Sequence, residues 1–144
     1  MNRKLLIFTI LVFAASTAFA QNSIFGKWKS VDDETGEEKS IVEIFKKNGK
    51  AYGKIIKILG EEHQNVTCDK CDDDDPRKDK RVIGMEIIKA LEWDDDEWDG
   101  GTILDPEDGK VYKCKMWVKN GNLILRGYIG FSLIGRSQTW LPYK

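Results

Sequence analysis

The sequence predicts an all-β fold, a single antiparallel meander of about eight strands that closes as a β-barrel or a closely related sheet. Three observations predict it. Two Asn-Gly pairs, Asn48-Gly49 and Asn120-Gly121, lie between β-branched or alternating runs, and Asn-Gly tolerates positive φ at both centres of a tight hairpin. Turn residues recur roughly every 8 to 12 positions. From Gly26 onward there is little of the 3.6-residue apolar repeat that an amphipathic helix requires.

Taken in order, the first strand is expected over Gly26–Val31 and the second over Ser40–Phe45, where Ser-Ile-Val-Glu-Ile-Phe is β-branched and partly alternating. The Asn48-Gly49 turn returns the chain through Ala51–Leu59. Arg81–Leu91 is ambiguous: Val82-Ile83 and Ile87-Ile88 fit a buried strand or a short helix, and Gly84 favours the strand. Thr102–Leu104 reads as a short strand, Val111–Val118 and Leu123–Ile129 as a second hairpin, and Ser137–Leu141 as a last strand before Pro142. Side chains alternate along a strand, so Tyr112, Cys114, Met116 and Val118 share one apolar face, with Lys113 and Lys115 on the other. Two segments interrupt this rhythm. Gly60–Lys80 is a long polar connection holding Cys68, Cys71 and the only histidine, His63, and Trp93–Gly101 is an acidic stretch expected as a loop.

Residues 1–20 are expected to be a signal peptide rather than part of the fold. Arg3 and Lys4 precede an apolar run from Leu5 to Ala15, and Ala18-Phe19-Ala20 offers small residues at −3 and −1 before Gln21. The run is shorter than the roughly 20 apolar residues a bilayer span needs. Residues 21–144 are then one exported domain, periplasmic or secreted, carrying 21 basic and 24 acidic residues once Arg3 and Lys4 are removed from the counts. That balance is no electrostatic footprint for nucleic acid or for anionic lipid, and no stable membrane insertion is expected. A monomer or weak oligomer is expected.

Gly26-Lys27-Trp28 matches the Gly-x-Trp that opens lipocalin-type barrels, whose Trp plugs the closed end and stacks on a late Arg. Here Arg126 or Arg136 would serve. An ordered series follows: Gly100-Gly101-Thr102-Ile103-Leu104-Asp105-Pro106, Gly109-Lys110-Val111-Tyr112, Arg126-Gly127-Tyr128-Ile129-Gly130 and Gly135-Arg136-Ser137-Gln138-Thr139-Trp140. In this series the chain resembles the bacterial secreted family known as domain of unknown function 2147. The resemblance implies a lipocalin-like, calycin-type barrel in the envelope with no assigned activity. Many relatives carry an Asn-Pro-Asp type segment where this chain has Cys68-Asp69-Lys70-Cys71, so a role common to the family would not rest on these cysteines.

Asp105-Pro106 with Asp108-Gly109 is turn chemistry. Asp105, Gly109, Trp28 and Arg136 are accordingly expected to be structural. In an oxidising compartment neighbouring cysteines pair, so a Cys68–Cys71 disulfide is expected with Cys114 left as a buried thiol, the alternative being a bridge from this loop to Cys114. A thioredoxin-like reading fails because the acidic neighbours Asp69 and Asp72–Asp75 would raise a thiol pKa. His63, Cys68, Cys71 and Cys114 supply zinc-type ligands, but without a second closely spaced pair no metal is expected, and no cofactor is implied. Neither acidic cluster has the spacing of an EF-hand loop. One histidine and no Gly-x-Ser-x-Gly leave no acyl-transfer triad, and no catalytic residue is identified.

The first functional expectation is therefore a non-catalytic binding module holding a small apolar or amphipathic molecule inside the barrel. Tyr112, Met116, Arg126 and Tyr128 are its expected ligand-binding residues, with Leu125 and Ile129 in the wall. The alternative is a structural or protein-interaction module of the envelope that uses the Trp93–Trp98 loop as its contact surface.

Overall fold

The computed structural model describes residues 23–144; the expected signal peptide lies outside them. Eight strands run in sequence: β1 (Gly26–Val31), β2 (Glu38–Lys47), β3 (Lys50–Ile58), β4 (Glu86–Asp94), β5 (Glu97–Asp105), β6 (Lys110–Lys119), β7 (Asn122–Tyr128) and β8 (Gly135–Pro142). Each pairs antiparallel with the next, and β8 returns to β1 through Trp28↔Pro142 and Lys29↔Leu141 to close the barrel. The expected all-β meander is what the chain forms. Closure leaves no sheet edge among the described strands.

The Asn48-Gly49 and Asn120-Gly121 turns sit where the sequence puts them. Asn48 and Asn120 both have φ 52°, followed by glycines at 78° and 79°. The ambiguous Arg81–Leu91 resolves into turns around Val82–Gly84, followed by β4 from Glu86. Trp93–Gly101 is not a loop. It is the tip and return of the β4–β5 hairpin, turning at Asp95-Asp96, with Trp93 opposite Trp98 and Glu92 opposite Asp99. An aromatic cross-strand pair stabilises a hairpin by roughly 0.2–1 kcal/mol, and the acidic turn residues conceal that pairing from a composition-based reading. The expected short strand Thr102–Leu104 is the second half of β5.

Odd-numbered hairpin connections (β1–β2, β3–β4, β5–β6, β7–β8) gather at one end of such a meander and the tight turns at the other. The tight-turn end is filled. Trp28, fully buried, donates its Nε1–H to Ile24 O at 2.7 Å and shares a core with Ile44, Leu91, Met116 and Leu123. Phe25 stands edge-on to Trp98 at 5.2 Å, beneath Lys46, and Trp98 is edge-on to Trp93 at 5.7 Å. The expected Arg partner for Trp28 is not used. Arg136 forks onto Asp33 at 2.6 and 3.0 Å and reaches Glu34 at 3.2 Å, while Arg126 bonds Ser132 O and Ser137 Oγ. Both guanidiniums sit near the opposite, loop-bearing end, where acidic and carbonyl oxygens compete successfully for them.

Candidate functional site

The loop-bearing end holds a cavity of about 580 Å³. Its apolar lining comes from Val42, Ile55, Ile87, Leu104 and Trp140, inward positions of β2, β3, β4, β5 and β8. Ser30 and Ser40 face one another across β1–β2 with their hydroxyls 2.8 Å apart, so two small polar side chains occupy inward positions that larger ones would fill. Small inward residues are why this half of the barrel stays open while the Trp28 half is packed. Gln138 joins wall to rim: its Oε1 accepts from Trp140 Nε1 at 2.8 Å and its amide donates to Asp33 at 3.3 Å.

The rim is charged. Asp32, Glu37, Asp69, Asp105 and Glu107 face two lysines, Lys39 and Lys70, with His63 nearby. Lys39 bridges Glu37 at 3.1 Å and Glu107 at 3.3 Å, tying the β1–β2 connection to the β5–β6 turn. These hydrogen bonds, Glu37 first, raise the Lys39 pKa. Pairs as exposed as these contribute at most about 1 kcal/mol, so the strap opens at little cost. Asp105 is half-buried in the wall. Desolvation pushes its carboxyl above the usual range despite the hydrogen bond from Glu107 N–H.

The connection between β3 and β4 forms the far side of the mouth. Cys68 and Cys71 are joined by a disulfide, S–S 2.01 Å, and Cys114 is a free buried thiol, as the compartment argument anticipates. Thr67 bridges Arg81, and Cys68 N–H donates to Lys80 O at 2.9 Å, so this segment is a folded flap rather than open loop. Gly109 (φ +75°) lets the β5–β6 turn lie directly on the flap. A Cβ there would fall 1.9 Å from Lys70 O and 2.7 Å from Cys71 N. The Gly109 role is therefore close approach as well as turn conformation, which spacing alone does not reveal.

Arg77 pins the flap to the barrel, donating to both Asp75 carboxylate oxygens at 2.8 and 2.9 Å and to Glu86 O at 3.1 Å. The Arg77 hydrogen bond holds the Asp75 pKa down to about 2 from 3.8. A lowered folded-state pKa stabilises above the unfolded value and is lost as pH falls through the folded one. Asp75→Asn is expected to lose about 1–2 kcal/mol at neutral pH, with the deficit shrinking between pH 4 and 2, read by urea unfolding against pH.

Of the residues expected at a ligand, none lines this cavity. Met116 is fully buried in the packed half. The Tyr112 hydroxyl donates to Asp108 at 2.9 Å, and burial together with that bond raises its pKa. The Tyr128 hydroxyl donates to Asp99 at 2.9 Å, and desolvation, then Asp99, push it up to about 12. Arg126 serves the β7–β8 connection, Leu125 is core and Ile129 is exposed. Alternation placed Met116 and Leu125 inward correctly, but could not say which inward positions border space. The hydroxyls at Ser30 and Ser40, inward on adjacent strands, were the available signal. Among the described residues no three His, Cys, Asp or Glu side chains are grouped to hold a metal, and the disulfide removes two of the zinc-type ligands.

Residues 26–141 match the family model described as "Uncharacterized protein conserved in bacteria (DUF2147)". The chain belongs to this family. Its fold is similar to that of a solved structure described as "Protein HP1028 from the human pathogen Helicobacter pylori belongs to the lipocalin family". The two share 20% identity at a TM-score of 0.73, over 86% of this chain and 85% of that one. At that identity the likeness concerns the fold, and this DUF2147 member is a lipocalin-like barrel. No match is found among curated proteins.

Proposed function

We propose that this DUF2147 protein is an exported binding module that takes a small amphipathic molecule into the mouth of its barrel. The cavity carries the reading: about 580 Å³ falls within the range of small-molecule sites, and it has an apolar wall beneath a polar rim. The apolar part of the ligand would lie against Val42, Ile55, Ile87, Leu104 and Trp140. Its polar end would meet a rim where five carboxylates face two lysines, one of them already bridged, which favours a cationic head group such as an amine. Export rests on Arg3-Lys4, the Leu5–Ala15 run and Ala18-Phe19-Ala20, and the Cys68–Cys71 disulfide is compatible with it.

Native mass spectrometry of protein recovered from the cell envelope tests both parts. The expected spectrum is a chain beginning at Gln21 that carries a small non-covalent adduct. Ile58→Trp, which pushes a larger side chain into the mouth, is expected to abolish the adduct while keeping the fold. Bare protein in both preparations would overturn the reading.

The interaction-module alternative now rests on Trp93 alone. It is 58% exposed at the end away from the cavity, whereas Trp98 is buried.

A further inference from the structure

The β7–β8 connection exposes an unusual amount of apolar surface. Ile129, Phe131, Leu133 and Ile134 are 67%, 76%, 90% and 64% exposed, and no charged residue occurs from Gly127 to Gly135. This is no slack loop. Ile129 N–H donates to Ile134 O, Ile134 N–H to Phe131 O and Phe131 N–H to Ile129 O, all within 3.1 Å. Arg126 donates to Ser132 O and Lys113 to Gly130 O at 3.4 Å, clamping the loop's carbonyls from the barrel side. At its base, Gly135 allows an approach to Gly127 O that would put a Cβ at 2.2 Å. The backbone is fixed so that four large hydrophobic side chains point into water, a cost that natural surfaces normally avoid unless something covers them.

We propose that this loop is a membrane-docking tip that inserts reversibly into the outer acyl region of a lipid bilayer containing anionic headgroups. Two observations favour lipid over a protein partner. At roughly 150 Å² per large side chain and these exposures, the tip offers on the order of 450 Å², well short of the ~800 Å² per side typical of a stable protein interface. The loop's carbonyls are also held by two cations, Lys113 and Arg126, which puts positive charge beside the apolar side chains, where anionic headgroups would be met. The protein's overall acidic balance opposes broad electrostatic adsorption, so contact would be confined to this tip and reversible. The loop shares the barrel end that carries the cavity, whose five rim carboxylates oppose anionic headgroups and so keep the contact to the tip itself; docking requires no ligand in the cavity.

The test is co-sedimentation of the envelope-recovered protein with vesicles of phosphatidylethanolamine and phosphatidylglycerol, beside vesicles of phosphatidylcholine alone. Binding is expected to the first and to be weaker with the second. The double variant Phe131→Ser, Leu133→Ser, altered only at exposed side chains, is expected to keep its unfolding midpoint and to lose at least about tenfold in partitioning. Protein that stays in the supernatant with both vesicles, or a double variant that binds as well as the parent, would overturn the proposal. A concentration-dependent dimer that the double variant loses, without vesicle binding, would assign the tip to a second copy of the chain instead.

Discussion

Replacing Gly109 with alanine is expected to destabilise the protein by about 3 kcal/mol and to release whatever the cavity holds. Two effects add. The residue sits at φ +75°, and its new Cβ would overlap Lys70 O and Cys71 N, both backbone atoms with no rotamer to escape into. Gly36→Ala separates them: Gly36 has nearly the same φ, +72°, with nothing within 4 Å of the added carbon. That control should cost only about 1 kcal/mol. The difference between the two urea midpoints then measures the contact between turn and flap. Because Asp105, Pro106 and Glu107 of this turn line the cavity, relief of the clash would move one wall away from the disulfide loop. Native spectra of Gly109→Ala should accordingly show loss of the adduct, and those of Gly36→Ala should not. Equal midpoints for the two variants would show that the flap yields freely.

Trp28→Ala is the second large effect, expected at about 4 kcal/mol, a substantial share of the 5–15 kcal/mol typical of a domain. Trp28 is wholly buried at the packed end, and the backbone around it is held by β2 on one side and β8 on the other, so little can collapse into the void. Trp28→Phe keeps most of the volume but strands Ile24 O without its donor, and about 1–2 kcal/mol is expected from that alone. Urea unfolding with unchanged slope would report stability rather than a change of denatured state. Neither substitution touches a cavity-lining residue, so ligand retention by the folded fraction should persist. That outcome would set this residue apart from Gly109.

Much of the barrel was legible because its signals are local. Asn48-Gly49 and Asn120-Gly121 specify turn conformations by themselves, and alternation in β6 assigns Cys114 and Met116 to the interior without reference to any other strand. The Trp93–Trp98 hairpin was missed for the converse reason: its stability comes from one ring meeting another across strands, while the intervening residues look like solvated loop. The resemblance offers Arg126 or Arg136 to Trp28, yet the closed register delivers Asp33 and Glu34 to Arg136, and Ser132 O and Ser137 Oγ to Arg126, instead.

By itself, then, the chain determined its strand order, its tight turns and its local disulfide. These depend on φ preferences, period-two patterning and residues close in sequence. The tertiary structure alone decided which inward positions meet packed side chains and which border empty space, because a void is a property of all the walls around it. It also decided which apolar residues stay in water, since the same alternation that buries Leu125 gives no information about a loop whose side chains are held outward by its own backbone bonds.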